Sequence, residues 1–211
     1  MIAALERPLE GLLRLLWPSR CAACDALSEA VFCRECSFEL RPPPPFSVEG
    51  ATAAHACFLY EGAAERALLR LKFDHREDVG ARLALLMAEA ARALPDHDLV
   101  IPIPLTRRRL YTRGMNQSAL LAARIALPLA PAVLRRSPGA KSQVGARGVA
   151  RRAQVEGSFI LAQPRAIEGR RLLVVDDVVT TGSTAKEAVR CLLGGGAKSA
   201  SVLAFLRAEG A

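Results

Sequence analysis

The hydrophobic positions of the chain fall into two recurring patterns, short unbroken apolar runs and longer amphipathic stretches. Residues 99–105 and 172–175 contain no polar side chain, which is typical of parallel strands buried on both faces. Residues 55–60 form a third candidate strand. Apolar residues at helical spacing predict helices over residues 65–73 and 81–94. Strands that alternate with helices predict a doubly wound parallel α/β sheet.

The first 45 residues have a pattern of their own. Their leucines at helical spacing predict a short amphipathic helix that Pro18 ends: Leu5, Leu9, Leu12, Leu13 and Leu16. Its polar face is not strongly basic, so we expect it to pack on the following module rather than to bind a membrane surface. Residues 42–45 are all proline and predict a stiff extended linker. We therefore expect a small N-terminal unit over residues 1–45 and an α/β domain over residues 46–211.

Four cysteines lie in the N-terminal unit in the pattern C-x2-C-x8-C-x2-C: Cys21, Cys24, Cys33 and Cys36. Two such pairs can present four thiolates to one tetrahedral Zn²⁺ ion. The alternatives are disulfides, which a cytosolic setting disfavours, and a thioredoxin-like redox motif, which two adjacent pairs disfavour. We predict one structural zinc, wrapped by Trp17, Phe32 and Phe38. Cys57 and Cys191 lie outside the pattern and are interpreted as small buried apolar residues.

The charge balance is strongly basic, with a formal net charge of +8 over 211 residues. Such a balance suits polyanions, either a diphosphate or a nucleic acid, although a compositional preference for arginine and alanine would also produce it. No apolar run approaches the ~20 residues of a membrane span, and the N-terminal pattern is unlike a signal peptide. We therefore expect a cytoplasmic protein without a membrane span.

The candidate chemistry is concentrated after the apolar run at residues 172–175. Asp176 and Asp177 follow this strand, and residues 180–184 then form a loop of hydroxyl side chains around Gly182 before a helical pattern resumes. Free backbone N–H groups at a helix N-terminus bind phosphate, and glycine allows the backbone to approach it closely. Carboxylates only accept hydrogen bonds, so the two aspartates suit vicinal hydroxyls. Together they predict a ribose 5-phosphate site.

The segment VVDDVVTTGST resembles the phosphoribosyl-pyrophosphate signature of type I phosphoribosyltransferases, and it lacks the Walker A spacing. The resemblance implies that Asp176 and Asp177 hold the ribose hydroxyls. It also implies that the 5-phosphate is bound by Thr180, Thr181, Gly182, Ser183 and Thr184. Mg²⁺ would accompany the diphosphate. The alternative interpretation is a buried strand that leads into a capped helix and binds no ligand.

A basic segment follows the strand that begins at Leu99. IPIPLTRRRLYTRGMNQ resembles the corresponding segment of ComF-type competence proteins, a phosphoribosyltransferase-like family with an N-terminal four-cysteine zinc module. Arg107 and Arg113 are therefore our candidates to stabilise the leaving pyrophosphate, with a solvated basic face as the alternative. The ComF pattern of Gln, Arg, Asn and Phe continues in a predicted substrate-closing loop over residues 135–157. This chain has Gln143 and Arg151 in that loop and Phe159 just after it, but Gln154 instead of Asn.

The resemblance implies two kinds of function. One is an enzyme that transfers phosphoribose to an acceptor, including a role in nucleotide salvage or nucleoside metabolism. The other is a factor of DNA uptake in natural transformation, with single-stranded DNA and a competence helicase as candidate partners. We expect DNA to contact a basic surface composed of Arg107, Arg108, Arg109, Arg113, Arg135, Arg136, Lys141, Arg147, Arg151 and Arg152. Lys72 is interpreted as a solvated helix residue.

Overall fold

A computed structural model describes residues 18–74, 76–137 and 157–209. The predicted helix from Leu5 to Leu16, Trp17 and the middle of the predicted loop over 135–157 lie outside these residues. In chain order the elements are α1 (Arg34–Ser37), β1 (Ala54–Leu59), α2 (Gly62–Phe73), α3 (Glu77–Ala91), β2 (Leu99–Pro102), α4 (Arg107–Arg113), α5 (Gln117–Ala122), β3 (Leu134–Arg136), β4 (Phe159–Leu161), β5 (Arg171–Val179), α6 (Ser183–Gly194) and β6 (Ser199–Arg207). A 3₁₀ turn spans Pro164–Ala166.

The central sheet has the strand order β1-β6-β5-β2, and all of its strand pairs are parallel. Side chains of β5 alternate between two cores. Leu173 and Val175 pack with residues of α2, α3 and α5, while Leu172 and Val174 pack with residues of α6 on the opposite face. The doubly wound parallel sheet predicted from the apolar runs is therefore confirmed.

Strand β5 extends beyond the apolar run that predicted it and includes both aspartates. Pairing with β2 ends at the pair Pro102–Val175, whereas pairing with β6 continues to the pair Val179–Arg207. The aspartates therefore follow the last residue that β2 covers, and they are still held by the ladder to β6. A pattern of apolar residues cannot reveal this, because the added length depends on a neighbouring strand.

The helix boundaries also differ from those predicted. α2 begins at Gly62 rather than residue 65, and α3 spans Glu77–Ala91 rather than residues 81–94. Glu77 and Asp78 occupy the first turn of α3, where carboxylates interact favourably with the helix dipole. An apolar pattern misses such polar first turns. Within the described ranges, no helix has the length and apolar character needed to cross a membrane.

Candidate functional site

A cavity of about 370 Å³ lies at the carboxyl ends of β2 and β5, where open α/β sheets bind ligands. Its wall includes the two aspartates, Asp176 and Asp177. Four cationic side chains also line it: Lys72, Arg109, Arg113 and Arg136. The cavity therefore combines hydrogen-bond acceptors on the sheet with cations from the surrounding helices and the β3–β4 hairpin.

Asp176 is the buried member of the acidic pair, with 8% of its surface exposed. Its Oδ1 accepts hydrogen bonds from the hydroxyl of Ser118 at 3.2 Å and from the backbone N–H of Asp177 at 2.8 Å. Burial, and next the negative charge of Asp177, raise the pKa of Asp176 to about 7. Near neutral pH this carboxyl group can therefore either donate or accept a hydrogen bond.

Asp177 forms an ion pair with Lys72. The Lys72 Nζ lies 2.7 Å from Asp177 Oδ2, and the two side chains are 12% and 16% exposed. The interpretation of Lys72 as a solvated helix residue is therefore wrong. Lys72 follows the buried Leu71 and lies four residues after the buried Leu68, so α2 carries it at the edge of its apolar face.

Arg113 enters the same cavity from the end of α4. Its guanidinium donates to Gln117 Oε1 at 3.3 Å and lies 5.5 Å from the centre of the Phe73 ring. Partial burial lowers the pKa of Arg113, although arginine remains charged in proteins. Gly114 follows with a φ of 70° and ends α4, so the Arg-Gly step both terminates the helix and places the guanidinium.

Arg136, at the end of β3, lines the cavity, although the sequence predicted only a contact with DNA at this position. Its Nε donates to the carbonyl of Pro104 at 3.0 Å, and its guanidinium stacks 4.3 Å from the centre of the Phe159 ring. Strands β3 and β4 pair antiparallel, with Arg136 opposite Phe159. The hairpin therefore fixes this cation beside the loop that follows β2.

Arg107, predicted with Arg113 to act on the pyrophosphate, lies at the first position of α4 and is exposed. Thr106 caps this helix by accepting a hydrogen bond from the N–H of Arg109 at 3.3 Å. Among the described residues, the cavity wall includes Arg109 but not Arg107. One helical turn of exposed arginines thus precedes the cavity, and the aromatic ring of Tyr111 on the same helix is 91% exposed.

The hydroxyl-rich loop surrounds a smaller cavity of about 50 Å³, lined by Asp176 and residues 178–185. Gly182 has a φ of 75° at the N-cap of α6, a backbone conformation that glycine adopts readily. The hydroxyls of Thr181 and Ser183 are 2.7 Å apart. The first turn of α6 contains no acidic residue, so its backbone N–H groups face no competing carboxylate from their own turn.

Arg207, at the end of β6, supports this loop from behind. Its guanidinium donates to the carbonyl of Thr180, and it lies 4.7 Å from the centre of the Phe46 ring. The backbone N–H of Ala208 also donates to the carbonyl of Val179 at 3.0 Å. These bonds fix the carbonyls of Val179 and Thr180, while residues 180–184 line the small cavity. The arrangement can hold a phosphate.

The four predicted metal-ligating cysteines come together. The sulfur atoms of Cys21, Cys24, Cys33 and Cys36 all lie within 4.8 Å of one another, and the Cys24 and Cys33 sulfurs are 3.7 Å apart. Four sulfurs ~2.3 Å from one tetrahedral zinc would be ~3.8 Å apart. All four are free thiols, without a disulfide. The donor set and its spacing therefore fit a tetrahedral metal such as zinc.

The aromatic surroundings of this cluster match the prediction only in part. Phe32 is 6% exposed and contacts Phe58 of β1, with ring centres 6.2 Å apart. Phe38 is 68% exposed, because it forms the C-cap of the short helix α1 on its solvent side. Cys57 and Cys191 are half-buried rather than fully buried.

Two arginines of α2 and the N-cap arginine of α3 attach the four-cysteine module to the α/β domain. Arg66 bonds both carboxylate oxygens of Glu39, each at 2.9 Å, and approaches the Cys36 sulfur at 3.8 Å. Asp25 accepts from Arg70 at 2.8 Å and from Arg76 at 3.1 Å. The module also shares one hydrophobic core with the helices on that face of the sheet. Helix α2 thus contacts the cysteine module and also carries Lys72.

Comparison with known proteins identifies the domain. A family model described as the phosphoribosyl transferase domain matches residues 112–210. The chain is 31% identical over 214 residues to the DNA utilization protein YhgH of Escherichia coli O157:H7, with 89% of each chain covered. It is 32% identical over 150 residues to the competence protein ComFC of Bacillus subtilis, covering 70% of this chain and 60% of that protein.

Among solved structures, a hypoxanthine phosphoribosyltransferase from Staphylococcus aureus is 19% identical. The superposition covers 62% of this chain and 64% of that protein, with a TM-score of 0.40.

Proposed function

The chain belongs to the ComF family and contains a phosphoribosyl transferase domain, and on that premise we propose that it binds phosphoribosyl pyrophosphate as the Mg²⁺ complex. One observation carries the proposal: Asp176, Thr180 and Thr184 line both the small cavity and the large one. A ligand that spans this shared wall needs a phosphate at one end, hydrogen-bond donors in the middle and a second anion at the other end.

The 5-phosphate is assigned to the loop that begins α6. Thr180, Thr181, Ser183 and Thr184 supply hydroxyls, and Gly182 lets the backbone approach the phosphate. The N-terminus of a twelve-residue helix adds the favourable end of its dipole. The ribose hydroxyls are assigned to Asp176 and Asp177, which line the large cavity next to this loop. Asp177 lines the large cavity but not the small one, whereas Asp176 lines both.

The diphosphate is assigned to the cationic part of the large cavity, with Arg113 as the primary contact. Arg109 and Arg136 line the same space, and a guanidinium can bind phosphate oxygens with two N–H groups at once. Arg107 is proposed as an outer contact, because it lies nearly two turns before Arg113 on an exposed helix. A Mg²⁺ ion bound to the diphosphate would neutralise part of its charge beside these arginines.

A transfer reaction at this site would break the bond between C1 of the ribose and the diphosphate oxygen, while a nucleophile forms a new bond to C1. Positive charge then develops on the ribose ring and negative charge on the leaving diphosphate. In this proposal Asp176 and Asp177 would face the ribose ring, and the arginines of the cavity wall would face the diphosphate. Binding energy from the distant 5-phosphate would hold C1 between them. The reaction class is pentosyl transfer.

At the cellular level we propose a role in natural competence, with nucleotide salvage as the alternative. Relatives carry the names DNA utilization protein and competence protein. The exposed arginines of α4 and the exposed Arg135 of β3 offer phosphate contacts to single-stranded DNA. The basic positions from Lys141 to Arg152 lie outside the described residues. A competence helicase is the corresponding candidate protein partner.

For the N-terminal unit we propose a structural zinc on the four cysteines. We also propose the division into residues 1–45 and 46–211, because residues 42–45 contain no helix or strand. The arginine contacts of α2 and α3 imply that the two units fold together. Zinc would hold the two Cys-x2-Cys turns in the shape that these arginines recognise.

Calorimetric titration with phosphoribosyl pyrophosphate and Mg²⁺ tests the central proposal. We expect saturable binding at one site per chain, which the double variant Asp176→Asn, Asp177→Asn abolishes. Absence of binding to the wild-type protein would contradict the proposal. A following assay for pyrophosphate release with candidate acceptors, purine and pyrimidine bases first, separates an active transferase from a protein that only binds the ligand.

A further inference from the structure

We propose that Lys72 is a substrate-binding residue: its ammonium group balances Asp177 in the free protein and contacts the diphosphate of the bound ligand. The inference rests on the proposed function, since it assigns a role within the same cavity. It adds a cation that lies in sequence well before the matched transferase domain, which begins at residue 112.

The position of Lys72 is fixed by the helix that carries it. Lys72 is the penultimate residue of α2, and the Ala63, Leu68 and Leu71 side chains of that helix are buried against the sheet. On its other side α2 is held by Arg70, whose guanidinium donates to Asp25 of the cysteine module at 2.8 Å. The helix therefore delivers the ammonium group to the cavity at a set point.

The ion pair itself indicates a functional position. With only 12% of the Lys72 side chain and 16% of the Asp177 side chain exposed, both charges have lost most of their hydration. Desolvating such a pair costs free energy that mutual attraction offsets only in part, so a structural ion pair gains little from this location. In a cavity, a ligand can separate the two charges and form hydrogen bonds with each of them. Those bonds then offset the remaining cost of desolvation.

The chemistry of the ligand favours such a separation. If Asp177 accepts a ribose hydroxyl, the ammonium group bonded to the same carboxylate lies beside C1 and its diphosphate. The lysine side chain has four flexible methylene groups, so a small change of rotamer moves Nζ from the carboxylate to a diphosphate oxygen. Lys72 would then stabilise the charge that develops on the leaving group, and Asp177 would remain free for the ribose.

The experiment compares two ligands that differ only in the diphosphate. Affinities for phosphoribosyl pyrophosphate and for ribose 5-phosphate, both with Mg²⁺, are measured by calorimetry for the wild type, Lys72→Gln and Lys72→Arg. We expect Lys72→Gln to lower the affinity for phosphoribosyl pyrophosphate ~10-fold or more, since a charge-assisted hydrogen bond is lost. Its affinity for ribose 5-phosphate should stay within about threefold, and Lys72→Arg should retain most of the binding.

Lys198→Gln is the matched control. Lys198 is exposed and precedes β6, at the amino ends of the parallel strands and thus opposite the cavity. The Lys198→Gln variant should bind both ligands with the same affinity as the wild type. Equal losses for both ligands in Lys72→Gln would overturn the inference, because Lys72 would then act only by supporting Asp177. Unchanged affinities would also overturn it. A wild-type protein that binds neither ligand contradicts the proposed function instead.

A paired variant covers the case in which Lys72→Gln does not fold because Asp177 is left buried and unpaired. Lys72→Met with Asp177→Asn removes both charges, and it is compared with Asp177→Asn alone. The readout is the ratio of the two affinities. We expect the paired variant to lose the preference for phosphoribosyl pyrophosphate that Asp177→Asn retains. Equal ratios in the two variants would refute a contact between Lys72 and the diphosphate.

Discussion

Ser118 donates a hydrogen bond from its hydroxyl to Asp176 Oδ1 at 3.2 Å, and this bond ties the first turn of α5 to the end of the sheet. The pairing is buried on both sides, since Ser118 is 2% exposed and Asp176 is 8% exposed. A neutral hydrogen-bonding group would satisfy Ser118 as well as a carboxylate does. The charge of Asp176 is therefore not required by the fold.

The first prediction is that Asp176→Asn stabilises the protein at neutral and alkaline pH. Burial raises the pKa of Asp176 from 3.8 to about 7 in the folded state, so between these values the folded protein binds more protons than the unfolded chain. The free energy of unfolding of the wild type must then fall as the pH rises through this window. The variant lacks this fall, so its advantage should grow between pH 4 and pH 8 to roughly 2–4 kcal/mol.

Urea denaturation without ligand or Mg²⁺ at several pH values measures this advantage. Asp96→Asn serves as the control, because the Asp96 side chain is 92% exposed and its removal should leave the pH dependence unchanged. A constant difference between Asp176→Asn and the wild type across the window would show that Asp176 titrates normally. The same variant should bind phosphoribosyl pyrophosphate more weakly. The wild-type protein would then keep Asp176 for binding, at a cost in stability.

The second prediction concerns the backbone at Gly182. Its φ of +75° is unfavourable for a residue with a side chain, while an added Cβ would meet Val48 Cγ2 only at 3.7 Å, an ordinary contact. Gly182→Ala should therefore lower the free energy of unfolding by about 1 kcal/mol through the backbone alone. It should also shift the N–H groups of the loop and weaken binding of phosphoribosyl pyrophosphate.

Gly169→Ala is the matched control for this variant. Gly169 has a φ of +66° with nothing within 4 Å of an added Cβ, and its N–H bonds to Gly196 away from both cavities. It should show a similar loss of stability with normal ligand affinity. If Gly182→Ala and Gly169→Ala bind the ligand equally well, the loop does not bind the phosphate through its backbone.

The third prediction is that purified protein contains about one zinc per chain, bound by the four cysteines. Cys24→Ser should lose most of the metal, and removal of zinc from the wild type by a chelator should lower the melting temperature by roughly 5–10 °C. The reason is that the module contributes Phe32, Ala22 and Ala23 to the same core as α2 and α3. Elemental analysis and thermal melting test both points.

Cys191→Ser provides the comparison, since Cys191 is half-buried and lies outside the cluster. It should keep the metal and melt within a few degrees of the wild type. Protein that carries no zinc, with four reactive thiols and an unchanged melting temperature, would contradict a structural metal.

Three strands of the central sheet, β1, β2 and β5, were predicted because their signal is local, whereas the inner strand β6 was not predicted. A strand such as β5, buried on both faces, needs apolar residues at consecutive positions, and Leu172 to Val175 satisfy this in any context. The clustering of the four cysteines was predictable for the same reason, since their spacing defines it. The resemblance to the ComF family, read from short motifs, is confirmed by the comparisons.

Other features depend on contacts between distant segments. From the sequence alone, Lys72 looks like an ordinary charged helix residue. Its partner Asp177 lies more than a hundred positions later in the chain. Arg136 gains its place in the cavity from pairing with Phe159 across a hairpin. No local pattern encodes these juxtapositions. The assignment of Asp176, Asp177 and residues 180–184 to the ligand remains a prediction.

The last prediction concerns single-stranded DNA and separates two groups of arginines on one helix. Arg107 and Arg108 are exposed, whereas Arg109 and Arg113 line the cavity. If DNA lies across α4, the double variant Arg107→Ala, Arg108→Ala should weaken DNA binding and reduce the dependence of log K on log salt by about 1–2. The same variant should bind phosphoribosyl pyrophosphate nearly as the wild type does.

Arg113→Ala should weaken both ligands, and phosphoribosyl pyrophosphate should compete with DNA for the wild-type protein because the two share this cavity edge. Tyr111 is the one aromatic residue on α4, so stacking on this helix is limited to a single base and binding should depend little on sequence. Fluorescence anisotropy with labelled oligonucleotides at increasing salt measures these effects. DNA binding that is undetectable at low salt, or that is unaffected by all three substitutions, would rule out a DNA surface on α4.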